Sequence, residues 1–242
     1  RIEKVAWERL RLAAMIYLAK CLPNNPLILD EKELLSQFEK YQGEIKNITP
    51  NGMVVPKRHT ILEYNALVRA FIEVIDRTHI EDLVMSWHIP LNLRIKFGSA
   101  SEENLKRHHP TEHVHSDSWA GESAESVTTH IPLFGDTTRN RVAFYDPPED
   151  FQEEWLGPRP TYADGAAIAK KYKPLDFIPE KGRLVRADFS TLHASSRFPG
   201  AGTRVSIDTT FALKRVRPRG EKEKIHPWCE DERVPHDVLR GL

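Results

Sequence analysis

Residues able to bind a transition metal are concentrated in one stretch of this chain, His113-Val114-His115-Ser116-Asp117. A further histidine, His193, lies far downstream in Ser190-Thr191-Leu192-His193-Ala194-Ser195-Ser196, and Arg204-Val205-Ser206 follows shortly after it. On extended backbone, positions i and i+2 point to the same side. His115 and Asp117 would then present a nitrogen and an oxygen to one ion, with His193 supplied by another strand. Two imidazoles and one carboxylate suit a divalent iron held on a single face, with the opposite positions open. Arg204, Ser206, Asp208 and Thr210 share one face of a strand-like run. The Arg204 guanidinium could pair, charge-assisted and bidentate, with a carboxylate. The alternative is an ordinary salt bridge between Arg204 and Asp208.

Such a site needs a scaffold of strands, and the periodicity supplies one. Apolar spacing predicts a helix over 2–20, with Val5, Leu10, Ala13, Met15-Ile16 and Leu18. A second helix is expected over 30–41, opened by Asp30 as N-cap with Glu33 three positions on. A third, amphipathic helix should cover 61–77, with Leu62, Ala66, Leu67, Phe71 and Val74 inward. Between the last two, Asn51-Gly52 marks a tight turn. The texture changes at Pro90, where Leu91, Leu93, Ile95 and Phe97 alternate with Asn92, Arg94 and Lys96. Further strands are expected at 126–134, 141–145, 182–189 and 203–213, separated by turn signals, which suggests a sandwich or barrel. The whole reads as one domain: 1–89 mostly helical support, 90–214 a β core, and 215–242 a C-terminal extension on the outside. An insertion at 150–179, with a short helix near 165–172, could form a lid.

Composition sets broad limits. The chain has 242 residues, 40% of them hydrophobic and 29% charged, as in an ordinary globular protein. Lys plus Arg and Asp plus Glu are equal at 35 each, which argues against a nucleic-acid binder relying on bulk positive charge. No apolar run reaches the ~18 residues of a membrane span. Cys21 and Cys229 sit near opposite ends and fit a reducing cytoplasm. The expected partner is a small molecule, with neither nucleic acid nor membrane involved.

The pattern His115-X-Asp117, His193, Arg204-X-Ser206 resembles the iron(II)- and 2-oxoglutarate-dependent oxygenases over roughly residues 91 to 213. Ser126-Val127-Thr128-Thr129-His130-Ile131-Pro132-Leu133 after the first ligands, and Gly182 to Phe189 before the distal histidine, fit the same layout. The resemblance implies a mainly β fold with N-terminal helices packed on a double-stranded β-helix, a jelly-roll or cupin-like core. It implies that His115, Asp117 and His193 bind Fe(II), and that Arg204, helped by Ser206, binds the distal carboxylate of 2-oxoglutarate. With O2 as the oxidant, succinate and carbon dioxide would be released and a substrate carbon hydroxylated, as in biosynthetic tailoring enzymes. Halogenases of the family carry a small residue where Asp117 stands, so halogenation is not expected.

Other residues are secondary candidates. His113, Trp119, Arg94 and Arg197 are candidates for substrate binding, each with a plainer alternative such as core packing or solvent exposure. Asn92, Arg94 and Lys96 share a face that is either exposed or lines the barrel mouth. His108 and His109 read as a solvated loop, and His130 as a core histidine. Two rival readings stand beside the oxygenase. One is a cupin-like isomerase or dioxygenase using His113 and His115 without 2-oxoglutarate. The other is a non-enzymatic β-sandwich binding module with structural histidines.

Overall fold

A computed structural model describes residues 1–78, 80–100, 102–214 and 233–235. Helices α1 (Lys4–Cys21), α2 (Glu31–Lys40) and α3 (Ile61–Asp76) lie within a few residues of the predicted spans. Asp30 caps α2, its side chain accepting the Glu33 amide hydrogen at 2.9 Å. The buried stripe of α3 runs through Tyr64, Leu67, Val68, Phe71, Ile72 and Ile75, a spacing of three and four. Leu62 and Ala66 fall off that stripe and are exposed, contrary to expectation. Val5 and Ile16 of α1 face outward for the same reason.

The β region forms two antiparallel sheets. Strands β1 (Val84–His88), β2 (Asn92–Lys96), β3 (Ser126–Gly135), β6 (Val185–Asp188), β8 (Arg204–Leu213) and β9 (Arg233–Pro235) make the larger one. Its order is β6-β3-β8-β1-β9, with β2 also paired to β8. The smaller sheet is β5 (Lys173–Pro174), β4 (Asn140–Asp146) and β7 (Leu192–Arg197), in that order. Strands β1 and β7 were not foreseen. Leu192-His193-Ala194-Ser195-Ser196-Arg197 has too few apolar residues to alternate, and only its ladder with β4 makes it a strand. Residues 215–232 and 236–242 of the expected C-terminal extension lie outside the described residues.

Alternation on β2 and β8 decides what each face of the larger sheet does. Leu93, Ile95, Val205, Ile207 and Phe211 turn to the helices and form the main core. Trp87 is wedged there between Phe71 of α3 and Phe211, with ring centroids 5.2 and 5.1 Å away. Truncating such a side chain costs about 3–5 kcal/mol. The opposite positions, Asn92, Arg94, Arg204, Ser206, Asp208 and Thr210, face a cavity closed on its other side by β4 and β7. The fold is thus mainly β with N-terminal helices, on the two-sheet plan of a double-stranded β-helix. No described helix is long and apolar enough to cross a membrane.

Candidate active site

The cavity between the sheets, about 240 Å³, brings together His115, Asp117, His193, Arg204, Ser206 and Arg94. One donor atom from each of His115, Asp117 and His193 lies within 4.8 Å of the others. The expected continuous strand through His115 and Asp117 does not form. His115 makes an isolated two-way bridge with His193, N–H to carbonyl at 3.0 and 2.7 Å. Asp117 instead begins a 3-10 turn, Asp117–Ala120, which ends at Gly121 with φ +97°. The chain bends between His115 and Asp117, and the bridge to β7 sets His193 beside them.

Both imidazoles are oriented by the same device. His115 Nδ1 donates to the His113 carbonyl at 2.7 Å, and His193 Nδ1 donates to the Thr191 carbonyl at 3.0 Å. A carbonyl can only accept, so each ring carries a proton on Nδ1 and turns Nε2 to the centre. Burial, reinforced by His193, holds His115 well below the usual histidine range, which keeps it neutral. Asp117 Oδ1 lies 3.8 Å from His193 Nε2, and the Thr128 hydroxyl donates to Oδ2. Two imidazoles and one carboxylate converging from one side match the facial donor set of non-haem iron(II) sites.

Arg204 does not pair with Asp208. That carboxylate is taken by Arg94, through Nε at 2.7 Å and Nη2 at 3.1 Å, and by Asn92 at 3.0 Å. Burial alone would raise the Asp208 carboxyl, but Arg94 outweighs it and holds the pKa below the ordinary value. Glu112 serves Lys96 at 3.1 Å and Arg197 at 3.2 Å. Burial pulls Lys96 down to about 7 despite that partner. Arg204 is left over: it is 1% exposed, and its Nε and Nη1 make no hydrogen bond. Burial, against Asp208 and with help from Arg197 and Arg94, draws it down to about 10, so it stays charged at neutral pH. The Ser206 hydroxyl, two positions on and fully buried, has no partner either. Buried polar groups are rarely left so. A cation and a hydroxyl in this state, facing the cavity that holds the His115, Asp117 and His193 donor set, fit an anionic oxygen ligand.

The remaining candidates are scattered. Arg94 lines the cavity, but its guanidinium is occupied by Asp208. Arg197 is tied to Glu112 and to the Phe97 carbonyl, beside a separate cleft. His113 lies by Val114 and Lys170 in another depression, so His113 and His115 do not converge. Trp119 packs in a second small core with Tyr162, Tyr172 and Leu192. The exposed alternative for Asn92, Arg94 and Lys96 gives way, since the first two line the cavity and Lys96 is buried. His109 also lines the cavity, unlike the solvated loop expected. Burial and the nearby Arg204 push His130 down to about 3, leaving it neutral on the cavity wall.

Sequence reasoning missed two contacts to the donor residues, one to Asp117 and one to His115. Thr128 was within reach, because it shares a face of β3 with His130. Tyr162 stacks on the His115 ring, centroids 3.9 Å apart and planes at 18°. It comes from the insertion, and no local pattern signals that contact.

No family model matches the chain, and no curated protein matches it. Solved structures do. The non-heme alpha ketoglutarate dependent carbocyclase SnoK from nogalamycin biosynthesis is 14% identical, with a TM-score of 0.41, over 84% of this chain and 83% of that one. The alpha ketoglutarate dependent epimerase SnoN from the same biosynthesis is 13% identical, TM-score 0.41, over 93% and 94%. An N-substituted L-amino acid dioxygenase from Burkholderia ambifaria AMMD, in complex with alpha-KG, is 11% identical, TM-score 0.39, over 84% and 90%. Between its two antiparallel sheets this chain presents the His-Asp-His donor set that its motif resemblance implies.

Proposed function

We propose that this chain is an iron(II)- and 2-oxoglutarate-dependent oxygenase that hydroxylates an unactivated C–H bond of a small metabolite. The observation that carries the proposal is the conjunction of two features in one cavity: an imidazole and carboxylate donor set, and a buried cation with a buried hydroxyl, both unpartnered. His115, Asp117 and His193 would hold the iron. Arg204 and Ser206 would fix the distal carboxylate of 2-oxoglutarate and so orient its keto-acid end toward the metal. With O2, the bound iron and co-substrate supply the oxidising power to insert one oxygen atom into a C–H bond, the other oxygen leaving in succinate beside carbon dioxide.

The protein's own contribution is positional. The carbonyls of His113 and Thr191 hold the imidazole tautomers, and Thr128 holds the Asp117 carboxylate. Arg94 neutralises Asp208, which keeps a competing anion away from Arg204. The cupin-like alternative would need His113 and His115 on one ion, and their side chains line different depressions. The test is release of carbon dioxide from carboxyl-labelled 2-oxoglutarate across a panel of small metabolites. Release that needs iron and oxygen and rises with one metabolite is the expected result. Iron-independent release, or none with any metal, would rule the proposal out.

A further inference from the structure

Part of the segment between β4 and β6 gathers on one residue of the core, Trp119. The Trp119 indole N–H donates to the Trp155 carbonyl at 2.8 Å, and the Trp119 carbonyl accepts from the Arg159 amide at 2.9 Å. The Arg159 guanidinium lies over the same indole, 5.3 Å from its centroid. Gly165 rests flat against it: a Cβ there would meet Trp119 Cζ3 at 2.1 Å, far inside contact distance. Between these points, Thr161 and Asp164 cap each other and start the 3-10 turn Tyr162–Gly165. The Tyr162 amide donates to the His108 carbonyl at 3.0 Å. So the turn is held from both ends, and its first residue is the tyrosine stacked on His115.

A ligand imidazole tied only through Nδ1 can still rock about its Cβ–Cγ bond. A flat ring 3.9 Å away blocks that motion on one face. We propose that Tyr162, seated by the Gly165–Trp119 contact, is a positioning residue that sets the orientation of His115, so the insertion tunes the metal site as well as covering it. This rests on reading His115, Asp117 and His193 as metal ligands. Hydrogen-bonded groups that orient a metal-bound histidine typically change metal affinity by about 10–100-fold when lost, and a stacked ring that restrains the same rotation should act at the lower end of that range.

The probe is cobalt(II), titrated into the metal-free full chain while its visible absorption and binding heat are followed. Tyr162→Phe keeps the stacked ring and should match the parent in affinity and spectrum. Tyr162→Ala should weaken cobalt binding by about tenfold or more and alter the visible band. Gly165→Ala, which must push the turn off Trp119, should do the same with Tyr162 still in the sequence. Circular dichroism confirms folding, and Tyr162→Ala alone decides the matter if Gly165→Ala does not fold. Parent-like binding and spectrum in Tyr162→Ala overturn the inference while leaving the metal site standing. A parent chain that binds no cobalt overturns both.

Discussion

Replacing Arg204 by methionine should make the ligand-free protein more stable while nearly abolishing co-substrate binding. The side chain is 1% exposed, Nε and Nη1 have no acceptor, and burial outweighs the attraction of Asp208 and Glu112, with Arg197 and Arg94 opposing that attraction. A buried polar group left unsatisfied costs about 1–3 kcal/mol, and more when charged. Methionine is unbranched and removes the charge without opening a large void. The gain of about 1–3 kcal/mol should raise Tm by roughly 2–12 °C, at about 2–4 °C per kcal/mol for a chain of this size. Against this, two charge-assisted hydrogen bonds of about 1.5–3 kcal/mol each vanish from the co-substrate complex. At 1.4 kcal/mol per tenfold, 2-oxoglutarate should bind about 10²–10⁴ times more weakly. Differential scanning fluorimetry of the metal-free protein and calorimetric titration with manganese(II) and 2-oxoglutarate measure the two halves. A fall in ligand-free Tm would mean that Arg204 supports the fold. Unchanged 2-oxoglutarate affinity would mean that the unpartnered guanidinium does not serve this ligand.

Other consequences follow from the same geometry. His193→Ala should lose stoichiometric metal while keeping its circular dichroism and cooperative unfolding, because its bridge to His115 uses backbone atoms only; metal analysis after dialysis checks this, and retained metal would remove His193 from the ligand set. His130 gives a pH dependence. Its folded pKa is depressed to about 3 from 6.5, so the unfolded chain takes up the proton first. Its contribution to stability is therefore flat above about pH 6.5 and falls as pH drops toward 3, by about 2 kcal/mol between pH 7.5 and 5. The depressed His115 adds to the loss with the same sign in metal-free protein. Urea unfolding at the two pH values should show a shallower slope for His130→Gln, and an unchanged slope would mean that His130 is not buried neutral.

Much of this arrangement was legible in local pattern. Alternation on β2 and β8 placed Arg204, Ser206, Asp208 and Thr210 on one face, and the Asp30–Glu33 cap and helix α2 were readable directly. Where the reading failed, contacts between distant segments decide the outcome. His115 meets β7 only through an isolated bridge, and the chain turns at Asp117 instead of continuing as a strand. Arg94, rather than Arg204, captures Asp208 because β2 pairs with β8 in a register that sets Asn92 opposite Asp208. Trp119 suits a pocket wall by type, but the insertion folds over it, with Gly165 against the ring. Tyr162 was invisible for the same reason.

The most direct test of the central claim is an anaerobic titration with iron(II) and then 2-oxoglutarate, following the weak visible charge-transfer band of the chelated keto acid. The account predicts a band that needs both additions and is lost or strongly weakened in Arg204→Met. Iron binding without a band would contradict the co-substrate and favour a metal enzyme of another kind. Failure to bind iron would contradict the oxygenase reading altogether.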